Sequence, residues 1–139
     1  MRNVAATLKV RTSGSGLLEI TSEVHAWLES QTVTTGLLTL FCRHTSASLL
    51  IQENAARAVR RDLEKYFAAL APEDPSRYEH NDEGPDDMPA HLRTALTGVQ
   101  LSIPVVEGAL ALGTWQGIYL FEHRRSPHQR EVVLHLIGE

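Results

Sequence analysis

Gly36-Leu37-Leu38-Thr39-Leu40-Phe41-Cys42 is a nearly continuous apolar run behind a glycine. A run of this length and composition reads as a central strand, covered on both faces or facing a second sheet. Ser48-Leu49-Leu50-Ile51 reads the same way. Upstream, Thr7-Leu8-Lys9-Val10-Arg11-Thr12 alternates apolar with polar, the mark of a half-buried strand. Ser13-Gly14-Ser15-Gly16 breaks it as a turn, and Leu17 to Ile20 forms a second short strand. Downstream, strands are expected over Val99 to Val105, Ala109 to Leu112, Trp115 to Glu122 and Glu131 to Ile137.

Helices fall between these strands. Thr21 or Ser22 is placed to cap one, with Glu23 in its first turn and Val24, Trp27 and Leu28 as its apolar stripe. A second starts at Asn54 as N-cap, with Ala55, Val59, Leu63, Tyr66, Phe67 and Leu70 on one side. Arg57, Arg60, Arg61, Glu64 and Lys65 form its solvated face. A third runs from Pro89, at the first helical position, to Thr97, where Gly98 ends it. Leu92, Ala95 and Leu96 are its expected buried side. No strand–helix–strand rhythm is present, so the pattern predicts an α+β fold with two packed antiparallel sheets, a β-sandwich carrying two or three helices, as one domain over 1–139.

Composition narrows the function. Of 139 residues, 42% are hydrophobic and 22% charged, the balance of an ordinary globular domain. The lone Cys42 excludes an internal disulfide and a cysteine-only metal site. A net charge of −4 offers nothing to nucleic acid or to an anionic membrane. No apolar run is long enough to span a bilayer, and Met1-Arg2-Asn3-Val4 does not begin a signal peptide, so a cytoplasmic location is expected.

Seven histidines point to chemistry. Ala71 to Pro89 is a long irregular stretch, and such loops in a compact domain usually carry function. Within Tyr78 to His91 lie His80, Asp82, Glu83, Asp86, Asp87 and His91, residue types that ligate zinc, manganese or similar ions. Arg43-His44-Thr45-Ser46-Ala47-Ser48 sits at a strand end, where hydroxyls and an imidazole suit phosphate oxygens or a positioned water. Gly113-Thr114-Trp115-Gln116-Gly117 permits close backbone approach beside a stacking ring. Glu122-His123-Arg124-Arg125 ends the next strand, while His25, His128 and His135 look peripheral. Nucleophile-elbow, Walker and dinucleotide loops are absent.

His44-Thr45-Ser46-Ala47-Ser48-Leu49, Glu53-Asn54, the His80–His91 stretch with Asp86-Asp87-Met88-Pro89-Ala90-His91, Gly113-Thr114-Trp115-Gln116 and Glu122-His123-Arg124 occur in that order. In this the chain resembles the YjbQ-like family, also called the secondary thiamine-phosphate synthase family, from about Thr7 to Gly138. One departure is that Ala55-Ala56-Arg57-Ala58 holds no acid where the family commonly has one. The resemblance implies a jelly-roll-like β-sandwich, a homotrimer, and a site around the His/Asp loop. It implies the coupling of a hydroxymethylpyrimidine diphosphate to a thiazole phosphate with release of pyrophosphate. On that reading a divalent ion (zinc, magnesium or manganese) sits on His44, His80 and His91, with Asp87 or Asp86 as carboxylate. Thr45, Ser46 and Ser48 hold phosphate oxygens of a phosphorylated small-molecule substrate. Asp86, Asp87, Glu122 and Arg124 form the catalytic group, Arg124 as a charge clamp. Asn54, Trp115 and Gln116 bind ligand, Trp115 by stacking on a heterocycle. A metal-dependent phosphohydrolase and a non-enzymatic trimeric binding protein are the other readings of the same residues.

Overall fold

The computed structural model describes residues 1–139. Eight strands and three α-helices follow one another as β1 (Arg2–Arg11), β2 (Gly16–Glu19), α1 (Thr21–Glu29), β3 (Gly36–Cys42), β4 (Ala47–Glu53), α2 (Arg57–Leu70), α3 (Asp87–Thr97), β5 (Gln100–Val106), β6 (Ala109–Leu110), β7 (Gln116–Glu122) and β8 (Gln129–Gly138). A single 3-10 turn, Pro75–Arg77, interrupts the segment between α2 and α3. The fold is α+β, as the strand pattern predicts.

Two antiparallel sheets face each other, one ordered β1-β8-β3-β5-β6 and the other β2-β7-β4. β8 pairs with β1 and β3, and β7 pairs with β2 and β4, which is the wrapped-ribbon pairing of a jelly roll. Between the sheets lies one core, built from alternate residues such as Leu38, Leu40 and Cys42 of β3, Val132, Leu134 and Leu136 of β8, and Leu49, Ile118 and Leu120 of the facing sheet. The period of two along each strand sends these residues inward and their neighbours outward. Gly36 and Gly138 are register partners whose backbones approach too closely for a side chain on either. Cys42 is buried, and burial pushes its thiol up to about 11, so it acts as a small core hydrophobe.

The helices depart in detail from the sequence reading. α1 buries Val24 and Leu28 as predicted, with Trp27 packed against the core. α2 begins at Arg57, and Asn54 does not cap it. Ala56 holds the N-cap position with no side-chain cap; just before it Glu53 Oε2 accepts from the Ala55 and Ala56 N–H groups at 3.1 Å each, while Asn54 Nδ2 donates to Glu19 Oε2 at 3.1 Å. No residue of α2 is fully buried; Leu63 and Phe67 pack on a small cluster of Leu17, Tyr119 and Phe121, and Tyr66 and Leu70 are exposed. α3 starts two residues before Pro89, which stays within the first turn, where an N–H has no helical acceptor to lose. Its buried side is Asp87, Pro89, Ala90, Arg93 and Thr94, and Leu96 is exposed, so the expected face of Leu92, Ala95 and Leu96 is corrected.

Candidate metal centre

α3 places Asp87 and His91 four residues apart on one face, and the preceding loop folds His80 and Glu83 back over that face. One ligand atom from each of His80, Glu83, Asp87 and His91 lies within 4.8 Å of the others. Nε2 of His80 is 2.9 Å from Asp87 Oδ2, and Nε2 of His91 is 3.1 Å from the same oxygen. Glu83 Oε2 is 3.4 Å from His80 Nε2, and Asp82 Oδ1 is 3.5 Å from His80 Nδ1. Only 4% of the Asp87 side chain is exposed, against 64% of Glu83, so the cluster is rooted in the protein and open to solvent at its rim.

The tautomer of His91 is set from outside. Its Nδ1 lies 2.8 Å from the Thr45 carbonyl, which can only accept, so Nδ1 carries the proton. In the neutral ring, Nε2 then presents a lone pair toward an ionised carboxylate oxygen. Two acceptors at that distance require a proton or a cation between them. This backbone-carbonyl support is the arrangement that orients metal-ligating imidazoles. Two nitrogens with one or two carboxylates form a donor set of intermediate softness, better matched to zinc or manganese than to magnesium.

Arg124 anchors the other side. Its Nη1 donates to Asp87 Oδ1 at 2.8 Å, its Nε to Asp86 Oδ2 at 3.1 Å and its Nη2 to the Glu83 carbonyl at 2.9 Å. Asp86 Oδ2 also accepts from the Arg125 N–H at 2.9 Å. Burial alone would raise the Asp87 pKa. The His80 hydrogen bond and the charges of His91 and Arg124 outweigh it and hold the carboxyl below the usual range. Asp86 is held down in the same way, burial being overcome by the Arg125 N–H and by Arg124. The Asp87 hydrogen bond raises the His80 pKa.

The remaining expected site residues lie elsewhere. His44 is outside the cluster: its Nε2 accepts the Glu131 N–H at 2.8 Å and its Nδ1 faces Arg130 at 3.4 Å, so its neighbour Thr45 makes the link to His91. Burial and the Arg130 charge push the His44 pKa down. Ser46 Oγ accepts from Arg130 Nη2 at 3.0 Å. Ser48 is wholly buried, 2.9 Å from His123 Nε2 and 2.6 Å from Thr97 Oγ1, and is corrected from phosphate ligand to part of an internal network. Glu122 is corrected likewise. It is 1% exposed, paired to Arg130, and its oxygens also accept from Thr12 Oγ1 and the Arg124 N–H. Asn54, Trp115 and Gln116 stand at the start of β7, whereas Arg124 follows its end. Six residue steps put the two ends about 20 Å apart. One chain therefore does not bring Trp115, which is exposed, to the His/Asp cluster.

Sequence reasoning missed Arg130. Read as the start of the inward row Arg130, Val132, Leu134, Leu136, its burial follows from the strand period, but beginning that strand at Glu131 left it out.

A family model described as "UPF0047 protein YjbQ-like" matches residues 6–139. The chain is 54% identical to UPF0047 protein sll1880 of Synechocystis over 95% of its own length and 90% of that protein's. It is 41% identical to the YjbQ protein of Escherichia coli O157:H7 over 96% of each. Among solved structures, a conserved hypothetical protein of Thermus thermophilus superposes with a TM-score of 0.85 at 37% identity, covering 95% of this chain and 99% of that one. A YbjQ-like protein of Sulfolobus solfataricus gives 0.87 over 99% and 100% at 24% identity, a likeness of fold. With a match across nearly its whole length, the chain belongs to the UPF0047 YjbQ-like family.

Proposed function

We propose that His80, Glu83, Asp87 and His91 hold a divalent cation, zinc or manganese, and that the protein is a metal-dependent enzyme acting on a phosphorylated small molecule. The observation that carries this is the convergence of two imidazole nitrogens on Asp87 Oδ2, with the His91 tautomer fixed by the Thr45 carbonyl. A cation there supplies charge stabilisation to a phosphate or pyrophosphate leaving group. Arg124 keeps Asp87 ionised and Oδ2 aimed at the imidazoles, and Asp86 holds Arg124 in that pose. Glu83 and His80, at the solvent edge, meet the incoming substrate.

The resemblance assigns the reaction as coupling of hydroxymethylpyrimidine diphosphate to thiazole phosphate, giving thiamine phosphate and pyrophosphate. Metal analysis of purified protein beside a coupling assay with both precursors tests it. Metal bound in stoichiometric amount and lost in His91→Ala, together with thiamine phosphate formed, is the expected result. A second reading, phosphohydrolysis, is favoured by the open rim of the cluster, which lets water reach the metal. Hydrolysis of simple phosphate esters much faster than coupling would select it. Metal binding with neither activity would leave a metal-binding protein and overturn the enzymatic reading.

The assembly is part of the proposal: a homotrimer, built through the outer face of the larger sheet. Leu37, Phe41 and Ile137 lie there 42–47% exposed, on its inner strands β3 and β8.

A further inference from the structure

A cleft of about 350 Å³ lies between α2 and the β2–β7 pair, lined by Arg61, Lys65 and Arg93 over Phe67 and Phe121, with Glu64 at one side. Arg93 is 9% exposed, yet it makes no ion pair. Its Nε donates to the Phe67 carbonyl at 3.2 Å and its Nη2 to the Ala71 carbonyl at 2.7 Å, which leaves Nη1 without an acceptor in the chain. The Glu73 and Asp86 charges act on it only from beyond ion-pair distance and do not outweigh its burial, so a bound anion would supply the close counter-charge it lacks. Arg61 and Lys65 stand four residues apart on one face of α2, and neither pairs with an acid. Glu122, which also borders the cleft, is neutralised by Arg130, and Glu64 spends its Oε2 on the Leu17 N–H at 2.8 Å. Three cations therefore face one carboxylate. Below them, the Phe67 and Phe121 rings meet edge to face at 5.6 Å and supply an apolar floor.

We propose that this cleft is a second ligand site, taking an organic phosphate monoester with a single aromatic ring. Two negative charges suit two guanidinium groups and an ammonium, and a planar ring suits the Phe67–Phe121 floor. The cavity has the size of a small-molecule site. It is distinct from the metal centre. None of the four clustered ligands lines it, and Arg93 and His91, two residues apart, project from opposite faces of α3.

Phenyl phosphate is the probe, titrated into the full chain by calorimetry and by amide chemical shifts. Arg93 also caps α2, so its removal is a poor first test. The exposed pair Arg61→Ser/Lys65→Ser leaves the packing alone. Expected are submillimolar binding, affinity at least about tenfold weaker in that double variant, no change in His80→Ala/His91→Ala, and inorganic phosphate bound about tenfold more weakly than phenyl phosphate. Shifts centred on residues 15, 61, 65 and 93 belong with that result. No binding at about 1 mM, binding that survives Arg61→Ser/Lys65→Ser, or any loss in the metal-centre variant overturns the proposal. Inorganic phosphate binding as tightly as phenyl phosphate overturns the assignment of the ring.

Discussion

Asp87 has a separate oxygen for each neighbour: Oδ1 accepts from Arg124 and Oδ2 meets both imidazoles. Removing a metal-facing ring should therefore act on the cation, and removing Arg124 on the aim of Asp87. His80→Ala and His91→Ala are expected to abolish stoichiometric metal, while Arg124→Ala lowers metal affinity about 10–100-fold, the size of effect an outer-shell support carries. Metal titration on folded variants checks both, and full metal content in either alanine variant would remove the centre from the fold's chemistry. Behind the site, Glu122 and Arg130 are a buried pair whose breakage leaves a lone charge. Glu122→Ala is expected to cost about 3–5 kcal/mol in a denaturant melt, and a loss under about 1 kcal/mol would contradict this reading of the pair. His123 adds a pH dependence. Burial, then the Arg93 charge, pulls its pKa from the ordinary 6.5 to about 3. Above 6.5 neither folded nor unfolded chain binds this proton; below it the unfolded chain does and the folded chain does not. Stability is thus lost as pH falls from 6.5, by about 1.4 kcal/mol per unit. The Glu122 carboxyl is held below its usual 4.5, because burial is outweighed by Arg130, the Arg124 N–H and Thr12, so its own loss begins only at lower pH. Between 6.5 and 4.5, the difference between wild type and His123→Gln isolates the histidine, and parallel stability curves would refute the assignment.

The segment from Tyr78 to His91 has little regular structure before α3 and draws its order from side chains. His91 ties it to the Thr45 carbonyl, Arg124 ties Asp86, Asp87 and the Glu83 carbonyl, and a cation would offset the repulsion among Asp82, Glu83 and Asp87. Chelation is expected to raise hydrogen exchange in residues 78–91 more than in either sheet. Unchanged protection in protein shown to have lost metal would count against a metal-ordered loop. The same segment marks what the sequence makes legible. β1 announces itself by alternation and β3 by its nearly unbroken apolar run, although the outward Leu37 and Phe41 of that run are exposed. The Asp87–His91 pairing becomes legible only with α3 starting at Asp87, because a helix begun at Pro89 leaves Asp87 outside the four-residue spacing. The buried face of α3 is not legible, because what it buries includes Asp87, held by the site, and Arg93, matched to the Phe67 and Ala71 carbonyls, while Leu96 faces solvent. Apolar periodicity reads cores and misleads where an element buries its chemistry. Nor does the capping of α2 follow from Asn54, because the helix starts at Arg57 with Ala56 at its N-cap, and the Asn54 amide N–H reaches Glu19, a partner 35 residues away.

At the scale of the whole molecule, the jelly-roll pairing sends the family's motifs to opposite ends of β7. Thr45 and Arg124 reach the His/Asp end, and Asn54 and Trp115 the other. A single copy leaves two features without a partner, the exposed Trp115 and the apolar outer face of the larger sheet. On that face Leu37 and Ile137 are cross-strand partners between β3 and β8, and Phe41 pairs with Val133 farther along. These are inner strands of the sheet, flanked by β1 and β5, so the apolar patch is a surface and not an unpaired edge. Burial of such a face against other copies is the expected state, with a trimer in sedimentation at micromolar concentration. Phe41→Glu should dissociate it, because a charge on the patch has no counter-ion and stays in water only in the monomer. The variant should keep its sheet structure and its metal, since Phe41 faces outward on β3 and is not one of the clustered ligands. A wild-type monomer would sink the assembly, and so would a Phe41→Glu protein that sediments as wild type does.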